Sequence, residues 1–449
     1  MRKRFIVIVL LGIPLLCLVL TAAYFIPPIH DRLSWRIDSL RTQVQYALNP
    51  PAEAVFVPQS GPSGEAEQAI AVEAIVDATL DAFSATLTET ASVAGPSASE
   101  TPTPGPSATP VPSPTPTFTA TPIPAAWRLE GTVHEYQKFN NCGPATLAMA
   151  LSYWGWEGNQ LVTRAYLRPY ADDIDDKNVN PQEMAAYVEQ ETGLEALVRV
   201  NGTLDLLKKL LAAGFPVIVE KGFEPPGEEW MGHYGLLTGY EDDRARFITQ
   251  DAYIMANLPV PYAELEPRWR DFNSVYVVLY PPERESEVFS VLGTDADAQA
   301  NYLAAVERAR LESESLSGRD RFFALYNLGS SLVGLGDYAA AAASYDEAFQ
   351  EYSALSQEQR PWRMLWYQDG PYAAYYHTGR YQDVINLADT TLSVLAKKTL
   401  EEAFYWRGMA REGLGNLDGA LQDLQKAYEL NPNSTDAGAQ LQRLGASLP

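Results

Sequence analysis

The chain has 449 residues, nearly half of them apolar, which allows two or three domains and at least one sizeable core. Its 57 acidic against 33 basic side chains give a formal charge of -24, which repels phosphate backbones and anionic lipid headgroups, so no nucleic-acid partner is expected. Only two cysteines, Cys17 and Cys142, are present.

Arg2, Lys3 and Arg4 precede "FIVIVLLGIPLLCLVLTAAYFI", residues 5–26, an uncharged run long enough to cross a hydrocarbon core of roughly 30 Å. Residues 1–26 therefore read as a cytoplasmic tip and transmembrane anchor. "TAA" at 21–23 offers a signal-peptide cleavage site as the alternative, but the apolar run continues through Tyr24, Phe25 and Ile26. Positive charge before the span predicts a single-pass cell-membrane protein with its bulk outside, although Arg32, Arg36 and Arg41 reduce the asymmetry. Cys17 follows Leu16 and lies three residues after Pro14, which does not fit an acylation site. Since Cys17 falls inside the expected span, the external part has no disulfide framework and must be held by packing.

Residues 27–50 read as a juxtamembrane helix. From 51 to 124 Pro, Ser, Thr and Ala dominate, a composition that cannot bury a core and predicts a disordered linker. Within it, residues 65–89 have helical spacing, and "TPTPGPSATPVPSPTPTFTATPIP" at 101–124 reads as a stiff stalk, reaching about 75 Å at ~3.1 Å per residue if fully extended as polyproline II.

Residues 127–282 have the pattern of a compact α+β domain. "CGPATLAMALSYWG" predicts a buried helix. In "NPQEMAAYVEQETG" Asn180 is the cap, Pro181 the first helical residue, Glu183 the capping-box partner and Gly193 the stop. "TLDLLKKLLAAG" predicts a helix ending at Gly214, and "FPVIVEKGF", "HYGLLTGYE", "ARFITQDAY" and "SVYVVLYPP" predict strands of an antiparallel sheet. Asp172, Asp173, Asp175 and Asp176 lack the glycine and terminal glutamate of a calcium loop and read as a solvated acidic loop. The NGT and NST triplets at 201 and 433 carry no weight as glycosylation sites.

Residues 290–449 are helical and repeat. Leu325, Leu328, Gly329, Gly336, Tyr338, Ala341, Tyr345 and Ala348 recur in phase as Phe404, Gly408, Gly415, Leu417, Ala420, Leu424 and Ala427, with Pro432 closing the second set. Gly379, Tyr381 and Ala388 mark a weaker copy between them. This spacing is similar to tetratricopeptide repeats, whose small residues let paired helices approach closely. Trp362, Trp366, Tyr367, Tyr375 and Tyr376 read as packing between those helices.

Cys142 is followed by Gly143 and Pro144, which open a helix, so its thiol sits at the positive end of the helix dipole and thiolate is favoured. A nucleophilic cysteine also needs a base, and the chain has only four histidines. His30 is juxtamembrane, His377 lies in the repeats, and His134 is too close in sequence to place. His233 begins a strand whose hairpin companion ends in Asp251, so a hairpin is expected to bring Asp251 level with His233, and the order supplies nucleophile, base and orienting carboxylate. With "QKFNNCGPATLAM", "GHYGLLTGYED" and "ITQDAY", residues 127–282 resemble the C39-like cysteine peptidases of the papain-like fold. The resemblance implies Cys142 as nucleophile, His233 as general base and acid, Asp251 as its orienter, and Gln137 with the Cys142 backbone N–H as the oxyanion hole. Asp251 is followed by Ala252 where that family often has proline, and Asn140 or Asn141 could substitute for Gln137. The founding members process leader peptides while fused to a transporter ATPase; no GxxxxGK[ST] motif occurs here, so that role is not implied.

The expected function is a membrane-anchored, externally displayed cysteine peptidase that hydrolyses a peptide or amide bond through an acyl-enzyme. Its repeats bind a protein, and no cofactor or metal is implied. The alternatives are an amidase or acyltransferase on the same triad, and a catalytically silent scaffold.

Overall fold

The computed structural model describes residues 123–169, 178–226, 228–395 and 397–448, together with 55–59 and scattered positions between 18 and 44. The expected anchor, the juxtamembrane helix, the helix at 65–89 and the acidic loop at 172–176 fall wholly or largely outside the described residues. Among the described residues no helix is long and apolar enough to cross a membrane.

The first folded unit is mixed α+β. In chain order it comprises β1 (Ala126–Arg128), α1 (Cys142–Tyr153), α2 (Gln160–Leu167), α3 (Pro181–Glu191), β2 (Glu195–Arg199), α4 (Leu204–Ala212) and β3 (Val217–Phe223). Then come β4 (Met231–Glu241), β5 (Arg246–Asp251), β6 (Met255–Pro261), α5 (Tyr262–Arg270), β7 (Tyr276–Tyr280) and α6 (Glu285–Leu292). The strands form one seven-stranded antiparallel sheet in the order β2-β7-β3-β4-β5-β6, with β1 added to β4.

The central strands are apolar on both faces because both faces are covered. Ile218, Leu236 and Val277 pack under α1 and α3 with Leu147, Leu151 and Met184. Val217, Leu237 and Val278, one residue out of phase, pack under α4 and α5 with Leu207, Leu210 and Trp269. The expected capping box is present, with the Glu183 carboxylate accepting from the Asn180 backbone N–H at 2.8 Å; Thr203, not anticipated as a cap, accepts at Oγ1 from the Leu206 N–H at 3.1 Å. Strands β2 and β6 and helices α2 and α5 were not anticipated; β6 and α5 carry Pro259, Pro261 and Pro267, which read as breakers in sequence.

The second unit is all helix: α7 (Ala298–Ser315), α8 (Gly318–Gly334), α9 (Tyr338–Ala354), α10 (Gly370–His377), α11 (Tyr381–Ser393), α12 (Glu401–Gly413), α13 (Leu417–Leu430) and α14 (Thr435–Arg443). The pairs α8–α9, α10–α11 and α12–α13 are the three anticipated repeats. The turn inside each contains a glycine in the left-handed region, Gly336, Gly379 and Gly415 with φ of 79°, 75° and 81°. A side chain there would strain the turn that folds each helix back on its partner.

The two units share a core. Trp230, Phe272 and Val275 of the sheet unit pack in one cluster with Phe323, Tyr326 and other repeat residues. Asn301 pairs with both the N–H and the carbonyl of Val200, and Asn327 donates to the Arg270 carbonyl at 2.7 Å. Phe56 belongs to the same cluster, with Val55 packed against it: Phe56 is only 4% exposed, although the composition of 51–124 cannot bury a core of its own. One aromatic can be buried by a groove built elsewhere, which composition averaged over a linker does not register.

Candidate active site

The loop before α1 is built by α2. Gln160 Oε1 accepts from the Lys138 N–H at 2.8 Å and from Asn141 Nδ2 at 2.9 Å, while its Nε2 donates to Glu135 and to the Tyr136 carbonyl. Arg168 donates to the Asn140 carbonyl at 2.8 Å. These bonds hold Asn140 at a φ of 47° and fix the point where the chain turns into α1. Gln160 and Arg168 carried no signal in sequence, because two polar residues in a short helix acquire this role only through tertiary contact.

Cys142 is the first residue of α1 and is half-buried. Gly143 lets the helix start close against α3, since a Cβ there would lie 2.9 Å from Met184 Cε and 3.2 Å from Val179 Cβ. Burial works to raise the thiol's pKa, but the hydrogen bond and charge of His233, with the backbone N–H groups of Tyr234 and Gly143, hold it below its ordinary value.

His233, 2% exposed on β4, receives both oxygens of Asp251 at Nε2, each at 3.1 Å. Nδ1 is thereby left for the thiol, whose interaction with the ring helps to raise the imidazole pKa. Burial alone would lower the imidazole pKa; the Asp251 charge and hydrogen bond, and then Cys142, raise it from 6.5 to about 9. Asp251 is fully buried and still held below the usual carboxylate range, by His233 first and then by Lys221 and the Ile254 N–H. Oδ1 accepts from the N–H groups of Tyr253 and Ile254 at 3.0 and 2.9 Å. Phe223 stacks on the imidazole with centroids 4.6 Å apart.

The hairpin does not bring Asp251 level with His233. A bulge between Leu237 and Gly239 shifts the register, so that Gln250 pairs with Leu236. The carboxylate reaches His233 diagonally across the two strands.

Gln137 is buried, its N–H donates to the Ala252 carbonyl at 2.9 Å, and its Oε1 accepts no hydrogen bond among the described residues. This ties the segment ahead of Cys142 to the residue after Asp251. Asn141 is fully buried with its amide committed to Gln160, which removes it as a substitute oxyanion donor; Asn140 is exposed. His134, unplaced from sequence, lies near Gln250 and Asp251, and burial holds its pKa below the ordinary value.

Two further groups at the site gave no sequence signal. Glu220, opposite Tyr234 on β3, is 3% exposed, burial raises its carboxyl pKa well above the usual range, and its Oε1 has no hydrogen-bond partner among the described residues. It lines a cleft of about 390 Å³ between the sheet unit and the repeats. Tyr367, expected inside the repeats, instead lies against Gly232, one residue before His233; a Cβ on Gly232 would come within 2.8 Å of its ring. At the far end of the seam Glu183, Glu401 and Glu402 bring carboxylate oxygens within 4.8 Å, a donor set compatible with a divalent cation, and Asn180 and Asn431 hydrogen-bond to them.

Residues 129–277 match the Peptidase_C39 like family, and residues 324–353 and 401–434 match tetratricopeptide repeats. The chain also matches the crystal structure of a protein described as a C39-like peptidase from Bacillus anthracis, at 15% identity over 34% of this chain and 96% of that one, with a TM-score of 0.29. No curated protein matches. The α+β unit around Cys142 is thus a C39-like peptidase domain, and the helical unit that follows it is built of tetratricopeptide repeats.

Proposed function

We infer that this chain is a cysteine peptidase that hydrolyses a peptide or amide bond, with its repeats binding protein. The observation that carries the reading is the chain of contacts from the Cys142 thiol through His233 to both oxygens of Asp251. Cys142 as thiolate attacks the scissile carbonyl carbon, forming a C–S bond. The resulting oxyanion is met by the Cys142 N–H and the Gln137 side-chain amide. His233, as imidazolium, gives its Nδ1 proton to the leaving amine as the C–N bond breaks. Its neutral form then takes a proton from water, whose oxygen attacks the thioester carbonyl carbon; the C–S bond breaks, releasing the acid and returning Cys142 as thiolate beside the imidazolium. Asp251 at Nε2 fixes the ring's orientation and stabilises its charge throughout.

An amidase or acyltransferase would share every step except the nucleophile that resolves the thioester. The silent scaffold is less well supported, because Cys142 is not packed over and His233 faces it. The uncharged run at 5–26, with Arg2, Lys3 and Arg4 before it, supports a single-pass anchor with the peptidase displayed outside the cell. The test is the pH dependence of alkylation by iodoacetamide, read by mass spectrometry on the Cys142 peptide, in wild type and His233→Ala. Reactivity well below pH 8.5 that disappears in the variant is expected; reactivity that rises only near pH 8.5 and ignores His233 would sink the reading.

A further inference from the structure

The repeats carry a groove that already holds a peptide. Residues 55–59, Val-Phe-Val-Pro-Gln, lie on it without regular secondary structure. Phe56 enters between α9 and α10, edge-on to Phe349 with centroids 5.0 Å apart and tilted against Tyr375 at 6.2 Å. Val55 packs beside it, and Val57 points outward, 64% exposed. Phe56 faces inward and Val57 outward, the opposite faces that neighbours in an extended chain present, and Pro58 predisposes Val57 to that conformation. Three residues beyond Phe56, the Gln59 N–H donates to Asp383 Oδ1 at 2.9 Å.

Asp383 is fully buried, and its other oxygen accepts from Arg380 Nε at 2.9 Å. A buried carboxylate with one oxygen held by an arginine and the other by a passing backbone amide is a built acceptor, because a lost partner there leaves a charged oxygen without a donor. Groove and ligand thus use two separate devices: an aromatic pocket that selects Phe, and a carboxylate that reads any extended backbone with an N–H at the right place.

We propose that this groove is a receptor for an extended apolar segment with a buried Phe and a Pro two residues after it, and that its resident ligand is residues 55–59 of the same chain. The segment acts in cis, clasping the chain ahead of the peptidase onto the repeats that follow it. A tethered ligand meets its site at an effective concentration on the order of a millimolar, so a modest intrinsic affinity keeps the groove filled. The strap 361–369 adjoins the seated Phe56: Trp362, Met364 and Trp366 line one small cavity together with Phe56. From the same strap Arg363 donates to the Trp230 carbonyl at 3.2 Å and Tyr367 reaches Gly232, so the clasp and the residue preceding His233 are held by one piece of chain. None of this depends on Cys142 being a nucleophile.

The experiment uses the full chain and a fluorescein-labelled peptide of residues 52–60, with fluorescence anisotropy as the readout. The Phe56→Ala chain should bind the peptide at least tenfold more tightly than wild type, whose groove is already filled. Phe56→Ala within the peptide should weaken binding about 10- to 100-fold, the loss of one buried aromatic side chain. A peptide N-methylated at Gln59, which lacks the N–H given to Asp383 and keeps the side chain, should bind about tenfold more weakly. If the Phe56→Ala chain does not fold, as judged by circular dichroism, a chain with 55–59 replaced by alternating Gly and Ser takes its place. A folded variant that fails to bind the peptide, a wild-type chain that binds it equally well, or a Phe56→Ala peptide that binds unchanged would each overturn the proposal.

Discussion

The two halves of this molecule bury carboxylates in opposite ways. In the repeats, Asp346 accepts from Arg380 at 2.7 and 3.0 Å and from the Tyr375 hydroxyl, and Asp423 accepts from both Arg407 and Arg411. Their cationic partners never titrate under ordinary conditions, so those pairs are fixed struts. In the peptidase domain Asp251 is paired with an imidazole, while Glu220 faces a tyrosine and Asp271 the indole of Trp230, and burial raises the Asp271 pKa to about 7. Partners that can gain or lose a proton, or that carry no charge, leave protonation state as a free variable. The lesson is that a reactive centre is marked less by how many charges are buried than by what they are buried against.

Breaking the reactive half should have the largest effect. Cys142→Ala or His233→Ala should lower kcat/KM for a peptide substrate by about 10⁶-fold in steady-state assays, since members of such a unit fail together. Asp251→Asn should cost roughly 10⁴-fold by disturbing the imidazole's tautomer and charge. Gln137→Ala should lower kcat by about 10²- to 10³-fold with KM little changed; an unchanged kcat would remove the side-chain amide from the oxyanion hole.

pH should sharpen the comparison further. With the thiol pKa lowered and the imidazole raised to about 9, the thiolate–imidazolium pair exists between those two values, so activity should rise through the thiol's ionisation and fall as pH passes about 9. The stability from the raised His233 pKa is full below 6.5 and is lost as pH rises through about 9. That from the lowered Asp251 pKa is present above the usual carboxylate range and is lost on acidification below it. Titrating the chemical-denaturation midpoint in wild type and His233→Ala isolates the first contribution.

In the strut half, Asp346→Ala should leave Arg380 buried without its main partner and lower unfolding free energy by about 3–5 kcal/mol. Below the transition, the alkylation profile of Cys142 should be unchanged, the smallest effect on chemistry of the series.

The sequence was most legible where a role depends on neighbours in the chain. Cys142 before Gly-Pro, Asn180 before Pro181, and the glycine turns of the repeats all act over a few residues, and all appear where their local pattern puts them. His233 and Asp251 were legible through their order on a hairpin, although the bulge that sets their approach was not, since a bulge changes register without changing composition. Gln160, Arg168, Glu220, Tyr367 and Phe56 were illegible for a common reason. Each meets its partner across a gap in sequence that no periodicity spans, and each looks ordinary in its own segment. Tyr367 is typical: among the aromatics of the repeats nothing distinguishes it from Tyr372, yet Tyr372 packs inside the helices while Tyr367 packs against Gly232, Trp230 and Phe272 of the sheet unit.

The core shared through Trp230, Phe272 and Val275 has a consequence for how the chain comes apart. A protease that nicks the connection near Gly293–Ala296 would sever the backbone without separating the halves, because each would expose the apolar wall that fits the other. Expressed as two pieces, the peptidase half and the repeat half should behave as complementing fragments, neither well folded until they meet.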